Sequence, residues 1–548
     1  MSKIAVAMDI GTSGLRAQAL TIPDGRVLST VITTNHPLPG ANVIDHLHFA
    51  LEIGVETASR LIIETVNQLL TQLQVVTDDV VRLAVCGNPT QLSLFQGIEI
   101  RDLAFAGSRK LFRLGVRAQK REAAVRRASE FPDLRLPSDC EIIIPPAVHD
   151  EVGADALALI IKSGIQNCED TAIAIDYGTN AEMVISHRGR LFTASAAAGP
   201  ALEGQHISCG TIAKPGAIAD IESFDDSNHR LLVLDSEMRQ REGALVNLRE
   251  AIDLEQSAEV QAEAITGTGV IAALDQALLA DIITRPKINT VDNQLHFGLD
   301  IRFNEDDLAE AGKAIGAIRA GYFTLSLEAG ITPADIQTAF LAGASGTYVD
   351  AHKSSRLGLI PPCVDRVKQI GNTSLSMACE LALNPDRLED MASLANSLRR
   401  SHCMFAKSKT FAKLFLLELS YWSEGMPMNI YRDMLKRYGL CDLPPKQEIA
   451  EVEHTAKRDI ADLGQLGLVT LEHIGKVATV QPKECQTCLS CVESCPTGAI
   501  SIDVTTQPPT ISLAHGLCSG MSCRRCEHVC VPKAFYLEEF FSAKEEKE

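Results

Sequence analysis

Eight of the chain's 16 cysteines lie between Cys485 and Cys530. The first four follow Cys485-x2-Cys488-x2-Cys491-x3-Cys495-Pro496. Three thiolates on so short a loop close around one [4Fe–4S] cubane, while the fourth, before proline, turns toward a second. A second run, Cys518-x4-Cys523-x2-Cys526-x3-Cys530, supplies the complement. The crossover expected from this pattern gives one cluster Cys485, Cys488, Cys491 and Cys530, and the other Cys518, Cys523, Cys526 and Cys495. Two features depart from the simplest form. Four residues separate Cys518 from Cys523, and Val531 stands between Cys530 and Pro532. Sets of four cysteines also bind zinc, but eight in this order favour two [4Fe–4S] clusters. The other eight cysteines, from Cys86 to Cys441, are scattered and are expected as small buried apolar side chains.

A different chemistry is written near the N-terminus. The apolar run Ile4–Ile10 leads through Asp9 into Gly11-Thr12-Ser13-Gly14, followed by Leu15-Arg16. Gly11 and Gly14 allow a tight hairpin whose N–H groups, with the Thr12 and Ser13 hydroxyls, can donate to phosphate oxygens. Asp9 is suited to hold hydrated Mg²⁺. A second strand signal, Thr171–Ile175, ends in Asp176-Tyr177-Gly178-Thr179-Asn180-Ala181-Glu182. A third element, Phe340–Gly346, contains Gly343-Ala344-Ser345-Gly346, where small residues would let the backbone approach a nucleotide. Gly267 and Gly269 are candidates for a further glycine contact. Asp9 and Asp176 are the expected catalytic pair. Gly11, Thr12, Ser13, Gly14, Arg16, Gly178, Thr179, Asn180, Glu182 and the two glycine-rich segments are the expected ATP site. No Gly-x4-Gly-Lys-Ser/Thr loop and no clean dinucleotide fingerprint is present.

These residues need positioning elements. The N-terminal half alternates strand-like and helix-like segments, with Val27–Thr33 reading as a returning strand, Leu51–Gln74 as a helix and Asp307–Ala329 as another. Leu414–Trp422 and Ile430–Tyr438 read as helices. Ile500–Ile502 and Ile511–Leu513 read as a hairpin between the cysteine runs. The expected division is residues 1–165 as a first lobe, 166–400 as a second, 401–480 as a helical connector and 481–548 as the cluster domain, with Lys544–Glu548 frayed. With 548 residues several domains are expected, and 46% apolar residues can fill their cores. The net charge of −19 without a long basic tract argues against nucleic acid as a partner. No run of 18 apolar residues and no signal-peptide pattern appear, so no membrane contact and a cytoplasmic location are expected.

Two Asp-x-Gly-Thr loops at strand ends, with the glycine-rich third element, resemble the actin, sugar-kinase and Hsp70 superfamily. The fold class expected is therefore α/β, with duplicated RNase H-like ATPase lobes, a helical connector and a C-terminal α+β ferredoxin-like domain. Joined to two-cluster cysteine runs, this pattern resembles the reductive activators of corrinoid proteins. Asp9–Arg16, Cys86-Gly87-Asn88-Pro89, Gly153–Ala158, Asp176–Met183, Ser195–Gly204, Gly343–Asp350 and Gly371–Leu375 carry the resemblance along nearly the whole chain. It implies ATP-dependent re-reduction of inactive Co(II) to Co(I), with corrinoid proteins of methylamine methyltransferase systems as partners, in support of methanogenesis. It also implies an upstream low-potential electron donor. Nucleotide turnover would open and close the two lobes across the Asp9 and Asp176 loops. Two alternatives share these parts: an activator of 2-hydroxyacyl-CoA dehydratases, and a kinase fused to a ferredoxin.

Two weaker features stand apart. Arg109, Lys110, Arg113, Arg117, Lys120, Arg121, Arg126 and Arg127 form a basic island that could steer an acidic partner, or simply a solvated face. His46 and His48 have strand spacing, and a polar loop is the expectation there.

Overall fold

The computed structural model describes residues 3–40, 42–105, 108–252, 254, 259–456, 458–472, 474–475 and 477–542. The expected frayed tail, Lys544–Glu548, lies outside the described residues. The chain forms two compact units: residues 1–145, 381–385 and 464–548 in the first, and 146–380 and 386–463 in the second.

The first unit is built on a seven-stranded sheet. Ile4–Ile10 (β1), Leu15–Thr21 (β2) and Val27–Thr33 (β3) form an antiparallel meander, and Val80–Gly87 runs parallel to β1 on its other side. All seven residues of β1 are buried, as a near-continuous apolar strand flanked on both sides requires. The helix expected over Leu51–Gln74 is two helices, Val43–Ile53 (α1) and Val55–Gln72, because Gly54 adopts φ 109° between them. His46 and His48 therefore sit on a helix rather than a loop. Two residues apart they point to different sides: His46 is buried and His48 exposed.

The second unit repeats the theme. Ala172–Asp176, Asn180–His187 and Arg190–Ala197 form another antiparallel meander, and Thr338–Ala342 lies parallel beside Ala172–Asp176. Helix Glu305–Glu328 begins at a capping box between Asn304 and Asp307 and is buried along most of its length. It packs on Lys409–Ser423, close enough that a Cβ on Gly312 would stand 2.8 Å from Trp422 Cβ. Arg319 Nε and Glu418 Oε2 pair at 2.8 Å across this contact, both nearly fully buried, and Tyr431 donates to the same carboxylate at 2.6 Å.

The units are cut differently from the expected spans. Helix Ala154–Ser163 buries its apolar side against Ala172–Asp176 and Asn180–His187, so it belongs with the second unit rather than the first lobe. The stretch 401–480 is helical in Lys409–Ser423 and Met428–Arg437, but beyond them it supplies three edge strands. Glu451–His454 extends the six-stranded sheet, Leu468–Leu471 joins β3, and Val477–Val480 pairs with Thr510–Ala514. The cysteine-rich segment is not a detached domain. Its three-stranded sheet lies in the same compact unit as residues 1–145.

Removing one partner of a buried ion pair strands the other. Glu418→Ala should lower stability by about 3–5 kcal/mol, whereas Glu418→Gln, which still accepts hydrogen bonds, should cost less. Thermal unfolding of both variants checks this, and equal melting temperatures for Glu418→Ala and wild type would refute it.

Candidate functional site

In the first unit the Asp9 loop is a hairpin drawn tight by its neighbours. Asp9 pairs with Arg16 across the β1–β2 ladder, and its carboxylate lies 3.5 Å from the guanidinium. A Cβ at Gly11 would stand 2.8 Å from the Gly14 carbonyl, and one at Gly14 would stand 2.9 Å from the Thr33 carbonyl. Asn88 caps helix Pro89–Phe95 through the Gln91 amide and donates to Thr12 Oγ1 at 2.9 Å. That bond leaves the Thr12 hydroxyl hydrogen to donate to a phosphate oxygen. Gly87, at φ 152°, brings Val80–Gly87 within 2.5 Å of the Ile10 carbonyl, measured to a built Cβ. Gly87 and Asn88 belong to the segment that carries the resemblance, but their supporting role at the hairpin is visible only in three dimensions.

In the second unit Asp176, Gly178 and Asn180 are half-buried and alternate with buried Tyr177 and Thr179. Thr179 Oγ1 donates to Glu203 at 2.6 Å, and Tyr177 donates to the Leu359 carbonyl at 3.1 Å. Glu182 is buried and accepts from Ser195 at 3.3 Å. Burial, then the Asp155 and Asp176 carboxylates, hold its pKa well above the ordinary 4.5. Asp155 and Glu203 were not expected as site residues, although both fall in segments that carry the resemblance. A group of carboxylates at a phosphate loop suits a hard divalent cation.

The glycine-rich third element adjoins this loop. Ala342 pairs with Asp176 in the parallel ladder, and a Cβ on Gly343, at φ 79°, would stand 2.3 Å from Asp176 Oδ1. Gly343 and Ala344 are half-buried. Ser345 is turned inward and donates to the Leu202 carbonyl at 2.6 Å, while Gly346 abuts Leu341. Gly267 and Gly269 are likewise taken up by packing. Built Cβ atoms there would come within 1.9 Å of the Leu202 carbonyl and 2.4 Å of the Ile218 carbonyl.

Several cysteines of the two runs neighbour one another. Burial and then the neighbouring Cys530 and Cys485 push the Cys491 thiol up, against amide donors from its own loop. Burial, then Cys518, Cys495 and Cys523, push Cys526 up to about 12. Burial, with Cys495 and Cys523, pushes Cys518 up to about 11 against the Gly520 amide. Cys530 thus stands with the first run and Cys495 with the second. Cys488 is exposed, with the Ser490 hydroxyl and amide holding its pKa down. Backbone amides of Gly520 and Ala534 donate to Cys518 and Cys530 at 3.4 and 3.3 Å. Cysteines supplied with backbone N–H donors in this way suit metal ligation as thiolates. Among the described residues, no three His, Cys, Asp or Glu side chains gather as a single-ion site.

This cysteine segment is fastened to the seven-stranded sheet side of its own unit. Leu15 N–H donates to Thr33 Oγ1 at 2.8 Å, and Thr33 donates to the Asn35 carbonyl at 2.8 Å. Asn35 Nδ2 donates to the Gly516 carbonyl at 2.9 Å, two residues before Cys518. Gly40 N–H bonds the Cys518 carbonyl at 3.0 Å. Arg524 reaches Glu52 on α1 at 2.6 Å, and Phe541 meets Phe49 edge-on at 4.8 Å. The basic island is partly consumed. Arg121 is locked to Asp102 at 2.9 Å and is not available to a partner, whereas Phe112 is 86% exposed among the remaining cations.

A carboxyl with a higher pKa folded than unfolded adds stability that is complete below the unfolded value and lost as pH rises through the folded one. For Glu182 that window opens at 4.5 and extends upward. In nucleotide-free protein, the melting temperature of Glu182→Gln relative to wild type should therefore climb as pH goes from about 5 to about 8. A difference that stays flat would show that Glu182 is not held protonated.

Comparison with known proteins agrees with this geometry. Residues 4–168 match the family described as RACo middle region, 170–432 the C-terminal domain of RACo, the ASKHA domain, and 478–501 a 4Fe-4S binding domain. The [Co(II) methylated amine-specific corrinoid protein] reductase of Methanosarcina barkeri is 45% identical over 498 residues, covering 91% of this chain and 92% of that one. The corrinoid activation enzyme RamQ of Eubacterium limosum is 25% identical over 77% of this chain and 71% of its own. A solved reductive activator for corrinoid, iron-sulfur protein shares the fold at TM-score 0.61 and 22% identity, over 76% of this chain and 66%, just under two thirds, of that one. Two ATPase-type strand-end loops and a cysteine segment that matches a 4Fe-4S domain thus lie in one chain, and the chain belongs to the family of corrinoid-protein reductases, the reductive activators.

Proposed function

We propose that this chain uses ATP to reduce inactive Co(II) in corrinoid proteins to Co(I). Its partners are corrinoid proteins of methylamine methyltransferase systems, and its electrons come from a low-potential donor. The reading is supported above all by one observation. The Asp9 hairpin and the second cysteine run are joined by the Leu15–Thr33–Asn35–Gly516 hydrogen bonds within one compact unit.

The chemistry balances simply. One electron enters from the donor and one leaves to cobalt, while ATP and water become ADP and phosphate. Two [4Fe–4S] clusters, when bound, supply one-electron carriers of low potential. Cys485, Cys488, Cys491 and Cys530 would hold one, and Cys518, Cys523, Cys526 and Cys495 the other. The protein around them contributes thiolates, amide donors and burial, which set the potential.

A one-electron step grows tenfold less favourable for every roughly 59 mV it climbs. ATP helps only if it binds two conformations differently. The Asp9 hairpin is placed to sense phosphate. Its Gly11–Gly14 turn offers N–H donors, and Asp9 and Asp176 would act on Mg²⁺. Gly343 leaves the Asp176 carboxylate room. Any shift of the hairpin pulls on Thr33, and through Asn35 on the backbone two residues from Cys518.

Co(II) methylamine corrinoid protein, a reductant and the iron-loaded chain, with and without Mg-ATP, test the reading through the cobalt spectrum. With reductant present in both samples, Co(I) should form only where Mg-ATP is added. Equal formation without ATP would make the nucleotide regulatory, and none at all with clusters intact would refute the function.

Asn35→Ala should uncouple the two activities, keeping ATP hydrolysis while slowing Co(I) formation. If both rates stay at the wild-type level, the hydrogen-bond route does not couple them. Gly343→Ala should displace Asp176 and lower ATP turnover by about 100-fold, as misplacement near 1 Å does. Turnover within a few-fold of wild type would remove Asp176 from the catalytic assignment.

A further inference from the structure

The second unit contains a cavity of about 280 Å³ that the proposed chemistry does not use. It is lined by Arg285, Arg319, Arg356, Arg432 and Lys446, with Tyr421 and Trp422 as aromatic wall. Five cations around one small cavity are unexpected in a chain of net charge −19. Three of them are neutralised. Arg319 pairs with Glu418 at 2.8 Å, Arg356 grips Asp275 through two bonds of 2.7 Å, and Arg432 lies 3.7 Å from Asp442. Arg285 and Lys446 have no carboxylate ion-pair partner among the described residues.

Both are nevertheless held in place. The Arg285 guanidinium stacks 3.9 Å above the Tyr421 ring and 5.4 Å from Trp422. The Lys446 ammonium donates to the Arg356 carbonyl. Lys446 is an exposed residue; partial desolvation of its ammonium, then Arg319 and Arg356, push its pKa down to about 8, although Asp275 pulls the other way. The indole N–H of Trp422, on a residue 2% exposed, finds no acceptor among the described residues. A buried donor left without a partner is costly, and ordered cations without counter-charge wait for one.

We infer that this cavity is a binding site for a compact organic dianion, with Arg285 and Lys446 taking its two charges and the Trp422 indole donating a hydrogen bond. None of its lining residues belongs to the phosphate loops or the cysteine segment, and its ligand carries either two carboxylates or a phosphate monoester. The inference does not depend on the function proposed above.

Trp422 is the only tryptophan of the chain, so its emission reports on the cavity. The full-length, cluster-loaded protein is titrated with succinate and separately with glycerol 3-phosphate at constant ionic strength, with acetate as a singly charged control. A saturable change with one dianion, absent with acetate, is expected, and which dianion acts identifies the source. Arg285→Gln and Lys446→Gln should each weaken that binding by about tenfold or more, as loss of a charged hydrogen-bond partner does. Calorimetry on the same samples gives the affinities independently of fluorescence. No response to either dianion at millimolar concentration would overturn the inference. So would affinities unchanged in Lys446→Gln, a loop variant whose folding the melting curve checks.

Discussion

The close approach of the Asp9 hairpin to the end of β3 is the constraint on which the first unit depends. Gly14 lies where any side chain would strike the Thr33 carbonyl, and Leu15 donates to the Thr33 hydroxyl. A hairpin held this way cannot change shape alone. Each bond in the series from Leu15 to Gly516 contributes only about 1 kcal/mol, but together they leave few independent motions. Thr33 serves twice, accepting from Leu15 and donating to the Asn35 carbonyl. A short polar stretch thus ties a phosphate-binding turn to the backbone that carries the second cysteine run.

Ionisable groups crowded close together are the second theme. Cys518, Cys523, Cys526 and Cys495 raise one another's cost of ionisation, and amide donors partly offset it. Glu182, Asp155 and Asp176 form a comparable concentration of carboxylates. Burial and neighbours hold Glu182, Cys518 and Cys526 protonated, so any metal binding there would release protons. The Arg319–Glu418 pair shows the opposite solution, where the opposite charge is built in and the helices close tightly around it.

Much of this was legible before any coordinates. The spacing of the cysteines points to a crossover between runs, and Cys530 neighbours Cys491 while Cys495 neighbours Cys526. Short-range chemistry is what sequence spacing encodes, because a loop of two or three residues has few ways to fold. The strand signals at Ile4–Ile10 and Thr171–Ile175 are clear for the same reason, and the strands run Ile4–Ile10 and Ala172–Asp176. Less legible were boundaries. Gly54 splits one apparent helix, and helix Ala154–Ser163 sides with the later unit because its apolar face matches that sheet.

By itself, then, the sequence determined the loop chemistries: which thiols run together, where aspartates end buried strands, and where glycine must stand. Tertiary structure alone decided how those loops are used. Gly267 and Gly269 pack closely against Leu202 and Ile218, contacts that their own spacing does not reveal. The cysteine segment looks like an appended domain, yet Asn35, Gly40 and α1 bind it into the first unit. The physical reason is the same throughout. A motif specifies donors and turns over a few residues, whereas a packing partner comes from dozens or hundreds of residues away, and only the folded chain chooses it.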